Sequence, residues 1–209
     1  MGRARGTLTR TRQGGVGCGR GVKHNHPVEG VRRIAIVASA SGNGKTTLGH
    51  RLADRLGVRY VELDALVHGP GWAETPDDAL RAAVEPIVAS DGWVIDGTYE
   101  RKLGDLVTAN ADLVIWLDLP IRVWFPRLIR RTWRRLRGRE ELWNGNRESL
   151  RSIAWGSDSL FIHAFHSHFR RRRAWPRTLA GRRVARLRTT EEVDRLLADA
   201  ASGCGVLGP

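Results

Sequence analysis

The run Ser39-Ala-Ser-Gly-Asn-Gly-Lys-Thr-Thr47 follows four apolar residues, Ile34-Ala-Ile-Val37, and leads into Leu48, Leu52 and Leu56 at helical spacing. A short, wholly apolar run marks a strand buried on both faces, and leucines four apart mark one side of a helix. A glycine-bearing turn between two such elements gathers successive backbone N–H groups around an anion. Gly42 and Gly44 allow the dihedrals and the close approach this needs. The helix N-terminus adds a partial positive charge. In this context Lys45 is placed to reach the β- and γ-phosphates of a triphosphate, and the Thr46 hydroxyl to ligate Mg²⁺. The nucleotide-binding segment is therefore read as Ser41, Gly42, Asn43, Gly44, Lys45, Thr46 and Thr47, with ATP and Mg²⁺ as its ligands. The phosphate-loop pattern asks for glycine where this chain has Ser39. That position eases the turn and does not touch phosphate.

The flanking chain alternates strands with helices. Val58–Leu63, Trp93–Ile95, Leu113–Leu117 and Val184–Leu187 read as further strands. Residues 76–90 read as an amphipathic helix capped by Thr75 with Pro76 in its first turn. A last helix runs from Thr190 to about Ala200, capped by Thr189 or Thr190. This order predicts an α/β fold: a five-stranded parallel sheet covered by helices on both faces. The domain is expected over residues 31–200, between a basic tail (1–30) and a glycine-rich end (201–209). Between the fourth and fifth strands lies a long basic insert, 121–180, whose part 121–157 reads as a helical lid. Phe125, Leu128, Ile129, Thr132 and Leu136 share one helical face there, with Pro126 marking a first turn or a kink. Asn144-Gly-Asn146 reads as a turn.

Several pieces together resemble the P-loop kinases known as topology modulation or adenylate-kinase-like proteins, relatives of adenylate and shikimate kinases. They are Ser41–Leu48, Leu63–Leu66 with Pro70-Gly-Trp72, Trp93–Tyr99, Asp112–Pro120 and Arg139–Asn146. The resemblance implies a five-stranded core, a helical lid and a nucleotide-kinase-like activity, and leaves the acceptor undefined.

Outside the loop, Asp96 ends a buried strand at the place where open parallel sheets bind ligands. It is a candidate catalytic carboxylate and, with Thr46, a candidate Mg²⁺ ligand. Asp64, after the second strand, is a candidate to orient or deprotonate an acceptor hydroxyl, and Trp72 a candidate apolar wall. Asp118 reads as structural, capping the helix that Pro120 opens. Phosphoryl transfer develops negative charge that arginines can offset. Arg101, Arg127, Arg131 and Arg135 are the candidates, with Arg127 and Arg131 preferred. Arg170–Arg173 read as a solvated basic face, because four consecutive residues point around a helix. His163, His166 and His168 lack the partners a zinc site needs.

The formal charge of +13 bears on partners. Residues 1–33 hold eight Lys/Arg against Glu29 alone, so they carry more than half of that excess. The folded part is only mildly basic. This favours a small-molecule phosphate acceptor, with weak nucleic-acid contact through the tail; the alternative is a nucleotide-dependent regulator or an ATPase that binds nucleic acid through its basic tail and lid. The tail is expected to be disordered, since it has too few apolar residues to offset its ordering entropy. Two cysteines in glycine-rich ends suit a reducing, cytoplasmic setting. No apolar run spans a membrane, and the chain is expected to be a monomer or homodimer.

Overall fold

The computed structural model describes residues 30–138, 143–145 and 160–202. Expectations for the basic tail, for most of the Arg139–Asn146 motif and for the glycine-rich end lie outside these residues, as does the side chain of Leu136.

Five strands, β1 (Arg33–Ala38), β2 (Arg59–Glu62), β3 (Trp93–Asp96), β4 (Leu113–Leu117) and β5 (Val184–Leu187), form one sheet in the order β2-β3-β1-β4-β5. Every pairing is parallel. β1 lies at the centre, and its side chains divide cleanly by period two. Ala35 and Val37 join one core with Val61, Trp93, Ile95, Val114 and Trp116. Ile34, Ile36 and Ala38 join the other with Val94, Leu113, Ile115 and Leu117. A strand buried on both faces must be apolar throughout, which is why its sequence shows no alternation.

The second face is covered by α1 (Lys45–Leu56) through Leu48 and Leu52, and by α8 (Thr190–Ser202) through Leu196 and Leu197. The first is covered by α2 (Leu63–Val67) and α3 (Asp77–Val88), and by Leu103 of α4 (Glu100–Leu103) and Val107 of α5 (Leu106–Ala109). It also receives Trp175 from α7 (Leu160–Thr178). A smaller cluster joins α6 (Ile121–Gly138) to α7 through Trp124, Leu128 and Ala164, with Ala40 beneath them.

One sequence expectation changes and two are made specific. Thr75 does not cap α3: Pro76 takes that place, and the Thr75 hydroxyl donates to Leu66 O at 2.7 Å, tying α3 to α2. Pro126 lies inside α6. At α8 the cap is Thr189. Its Oγ1 accepts from Glu192 N at 3.2 Å, and the Glu192 carboxylate accepts from Thr189 N at 3.3 Å. This reciprocal pair is a capping box.

Candidate functional site

A parallel sheet leaves its ligand crevice at the carboxyl ends of the strands, where the order changes direction about the first strand. Here β1 ends at Ala38, and the loop to α1 rises beside the ends of β3 and β4. Gly42 and Gly44 both have left-handed backbones, with φ of 84° and 92°. Gly42 is also enclosed: a Cβ there would lie 2.6 Å from Trp124 O and 3.0 Å from Leu128 Cβ. α6 therefore seats directly on the loop. Gly44 precedes α1 without a side-chain cap, which leaves the first-turn N–H groups of α1 without a capping side chain and suited to an anion.

At the head of α1 three predicted residues meet. Lys45 Nζ is 2.9 Å from Asp96 Oδ1, and the Thr46 hydroxyl is 3.0 Å from Asp96 Oδ2. Asp96 is buried, at 2% exposure. The Tyr60 hydroxyl lies 3.3 Å from Asp96 Oδ2, and burial, then the Asp96 charge, push its pKa well up, so it stays a donor. Glu62 was missed by sequence reasoning. Its Oε1 is 3.4 Å from the Thr46 hydroxyl, and it sits opposite Asp96 in the β2–β3 register. Its place at the last position of a strand neighbouring β3 was the available signal. One hydroxyl and two carboxylates are hard oxygen donors of the kind that suit Mg²⁺.

The Asn43 side chain has a task inside the loop itself. It is buried, its Nδ2 donates to Ala40 O at 2.8 Å, and its Oδ1 accepts from Leu119 N at 3.1 Å. The amide thus pins the loop to the chain after β4. Ser39 is more than an easier turn. Its hydroxyl donates to Asp118 Oδ1 at 2.7 Å and accepts from the Trp116 indole N–H at 2.9 Å. Asp118 is structural, as expected, but as an anchor instead of a helix cap. The Arg186 guanidinium donates twice to its Oδ2, at 3.0 and 2.6 Å, and Arg172 Nε lies 3.1 Å from its Oδ1.

The four-arginine run is likewise divided. Arg172 faces Asp118. Arg171 donates to Ala38 O at 2.9 Å, with its guanidinium 5.5 Å from the centre of the Trp175 ring. Burial, then Arg170, lower its pKa, while Glu100, Asp64 and Tyr99 act in the opposite sense. A guanidinium keeps its charge regardless, so Arg171 delivers a cation to the end of β1, where the loop begins. The clue in the sequence was its spacing: Ala164, Ser167, His168, Arg171 and Trp175 lie on one helical face, which is the buried one.

Asp64, in α2, accepts a hydrogen bond from the Tyr99 hydroxyl, which also lies 3.3 Å from His68 Nε2. Trp72 is 42% exposed and meets the His68 ring edge-on, with centroids 5.6 Å apart. Arg101 and Arg127 are exposed, while Arg131 and Arg135 are half-buried. Among the described residues there is no group of three or more His, Cys, Asp or Glu placed to hold a metal, the three histidines included. His168 is buried against Trp124. No helix among them is long and apolar enough to cross a membrane.

No family model matches the chain. Hydrogenobyrinate a,c-diamide synthase of Rhodobacter capsulatus is 36% identical over 88 residues, which cover 42% of this chain and 20% of that protein. Shikimate kinase of Synechococcus elongatus is 32% identical over 112 residues, 43% of this chain and 52% of that protein. The chain thus spans between 20% and 61% of the length of the curated relatives it matches. The structure of shikimate kinase from Acinetobacter baumannii in complex with shikimate superposes with a TM-score of 0.53 at 13% identity. It covers 82% of this chain and 92% of the other. The chain has the fold of the P-loop kinases.

Proposed function

We propose that this chain is an ATP- and Mg²⁺-dependent phosphotransferase that moves the γ-phosphoryl group of ATP to a small hydroxyl- or phosphate-bearing acceptor. The observation that carries the reading is the meeting of Lys45 and Thr46 on the two oxygens of Asp96 at the N-terminus of α1. Anion-binding backbone, an ammonium, a hydroxyl and two strand-end carboxylates fit a metal-bound triphosphate. Local identity with shikimate kinases supports the same class.

Lys45 exchanges its contact with Asp96 for the β- and γ-phosphates when nucleotide binds. Thr46 and Asp96 hold Mg²⁺, with Glu62 beside them. Mg²⁺ supplies charge neutralisation on the transferring group. The acceptor lies on the Asp64 side of the loop, walled by Trp72 and facing the charge of Arg171. Arg127 and Arg131 extend from the helix that seats on Gly42, and they offset charge developing on the equatorial oxygens. The insert 121–157 closes over the crevice and excludes water, which suppresses hydrolysis. The motifs shared with topology modulation proteins favour that kinship and a cytoplasmic setting.

The test is a screen of nucleoside monophosphates and hydroxylated metabolites for ATP-dependent phosphorylation, with Lys45→Ala as control. Transfer lost in that variant supports the assignment. Transfer that survives it, or phosphate release with no acceptor in any condition, overturns it.

A further inference from the structure

Three non-glycine residues among those described have left-handed backbones: Trp72 (φ 62°), Tyr99 (φ 44°) and Asn144 (φ 58°). They come from three separate segments, yet all touch His68. Trp72 meets its ring edge-on, the Tyr99 hydroxyl reaches its Nε2, and the Asn144 amide donates to its carbonyl. Asn144 Nδ2 also lies 3.3 Å from Ala65 O, so the 143–145 turn closes the C-terminal end of α2. Such conformations persist only where surroundings hold them, and they gather at functional sites.

The hydrogen bonds around His68 have a fixed direction. An ionised carboxylate only accepts, so the single Tyr99 proton goes to Asp64. The Tyr99 oxygen is then left to accept from His68 Nε2–H. The chain of donation runs from His68 through Tyr99 to Asp64 Oδ1. It orients the carboxylate and leaves Oδ2 for another donor. Burial and the Asp64 charge hold the Tyr99 hydroxyl protonated, as this arrangement needs.

We infer that Tyr99 and His68 are positioning residues for Asp64 and that the acceptor is an alcohol, not a phosphate monoester. This rests on the phosphotransferase reading above and narrows it. An alcohol must lose a proton as its oxygen bonds to the γ-phosphorus and the bond to the β,γ-bridging oxygen breaks. The proton passes to Asp64 Oδ2, and the electron pair leaves on ADP. A phosphate monoester brings an oxygen that is already ionised. It needs no base and would be repelled by a carboxylate fixed in its path.

Two measurements test this. In the protein without nucleotide, ring ¹⁵N shifts of His68 should show the proton on Nε2, with that preference lost in Tyr99→Phe. A proton on Nδ1, or ring shifts unchanged by the substitution, overturns the chain. For turnover, [γ-³²P]ATP is offered with polyols and hydroxy acids in one arm, and AMP, GMP, CMP and UMP in the other. The expected result is transfer to an alcohol, with kcat lowered about ten-fold or more in Tyr99→Phe, KM for ATP unchanged and the acid side of the pH–rate profile displaced. Partial recovery of rate in His68→Gln over His68→Ala would show that a ring-side donor is what matters. Transfer to the monophosphates at equal rates in wild type and Tyr99→Phe overturns the inference while leaving a phosphotransferase. Failure to bind Mg²⁺-ATP in calorimetry would instead sink the phosphotransferase reading, and the ¹⁵N result would stand apart from it.

Discussion

Two glycines of the phosphate loop differ in what a side chain would cost. At Gly44 a Cβ would meet nothing within 4 Å, and only the positive φ argues for glycine. At Gly42 the φ is positive and α6 leaves no room. Gly42→Ala should therefore cost about 1–3 kcal/mol of stability through forced displacement of Trp124 and Leu128. It should also weaken Mg²⁺-nucleotide affinity, because the loop must move with them. Denaturant melts paired with calorimetry check both. A second residue-scale expectation concerns Asp96. Asp96→Asn keeps the shape but removes the charge that holds Lys45 and that would help hold the proposed Mg²⁺. Turnover should fall about 10²-fold or more, with the far-ultraviolet circular dichroism unchanged. The loop's backbone geometry was legible in the sequence because it depends on glycines at fixed spacing before a helix. The work of Ser39 and Asn43 was not legible. Each is defined by partners about 75 to 80 positions away, Asp118 and Leu119.

At the scale of elements, α7 is tied to the loop from below. Arg171 reaches the carbonyl that ends β1, and Arg172 reaches Asp118, which also holds Ser39 and Arg186. One buried carboxylate thus joins β1, β4, β5 and α7. Asp118→Ala would leave Arg172 and Arg186 without their shared anion. The expected loss is about 3 kcal/mol, the lower end for a broken buried pair because both guanidinium groups keep some solvent. A urea midpoint reads it. The capping box of α8 is a smaller device: Thr189→Ala should cost about 1 kcal/mol. That box was visible as Thr-x-x-Glu, a local pattern. The inward turn of Arg171 within a four-arginine run was not, since charge alone says solvent and only the Ala164–Trp175 stripe says otherwise.

For the whole molecule, acid should loosen the packing of α6 and α7 on the loop. Burial lowers the pKa of His168, with the Arg172 charge acting the same way and Asp118 opposing. His163 is lowered too, by burial and then by Arg171. The unfolded chain therefore takes up protons at these positions before the folded one does. Stability is full above the ordinary histidine value of about 6.5 and falls as pH drops below it, toward the lowered folded values. Unfolding midpoints at pH 7.5 and pH 5 should differ, and His168→Leu should shrink that difference. Removing residues 1–29 should leave Mg²⁺-nucleotide affinity unchanged, since the strands and loop lie beyond them. It should weaken salt-sensitive binding to nucleic acid if the tail is the contact. Calorimetry and fluorescence anisotropy separate the two.

The amino-acid order alone determined the sheet class and the phosphate loop. Burial on both faces demands unbroken apolar strands, and an anion-binding turn demands glycines before a helix. Both are local requirements written in consecutive residues. Tertiary structure decided which polar groups face one another. It set Glu62 beside Thr46, aimed Arg171 at the carbonyl that ends β1, and gathered Trp72, Tyr99 and Asn144 around His68. Such pairings depend on how distant segments pack, and a hydrogen bond worth about 1 kcal/mol leaves no periodic mark on the chain that makes it.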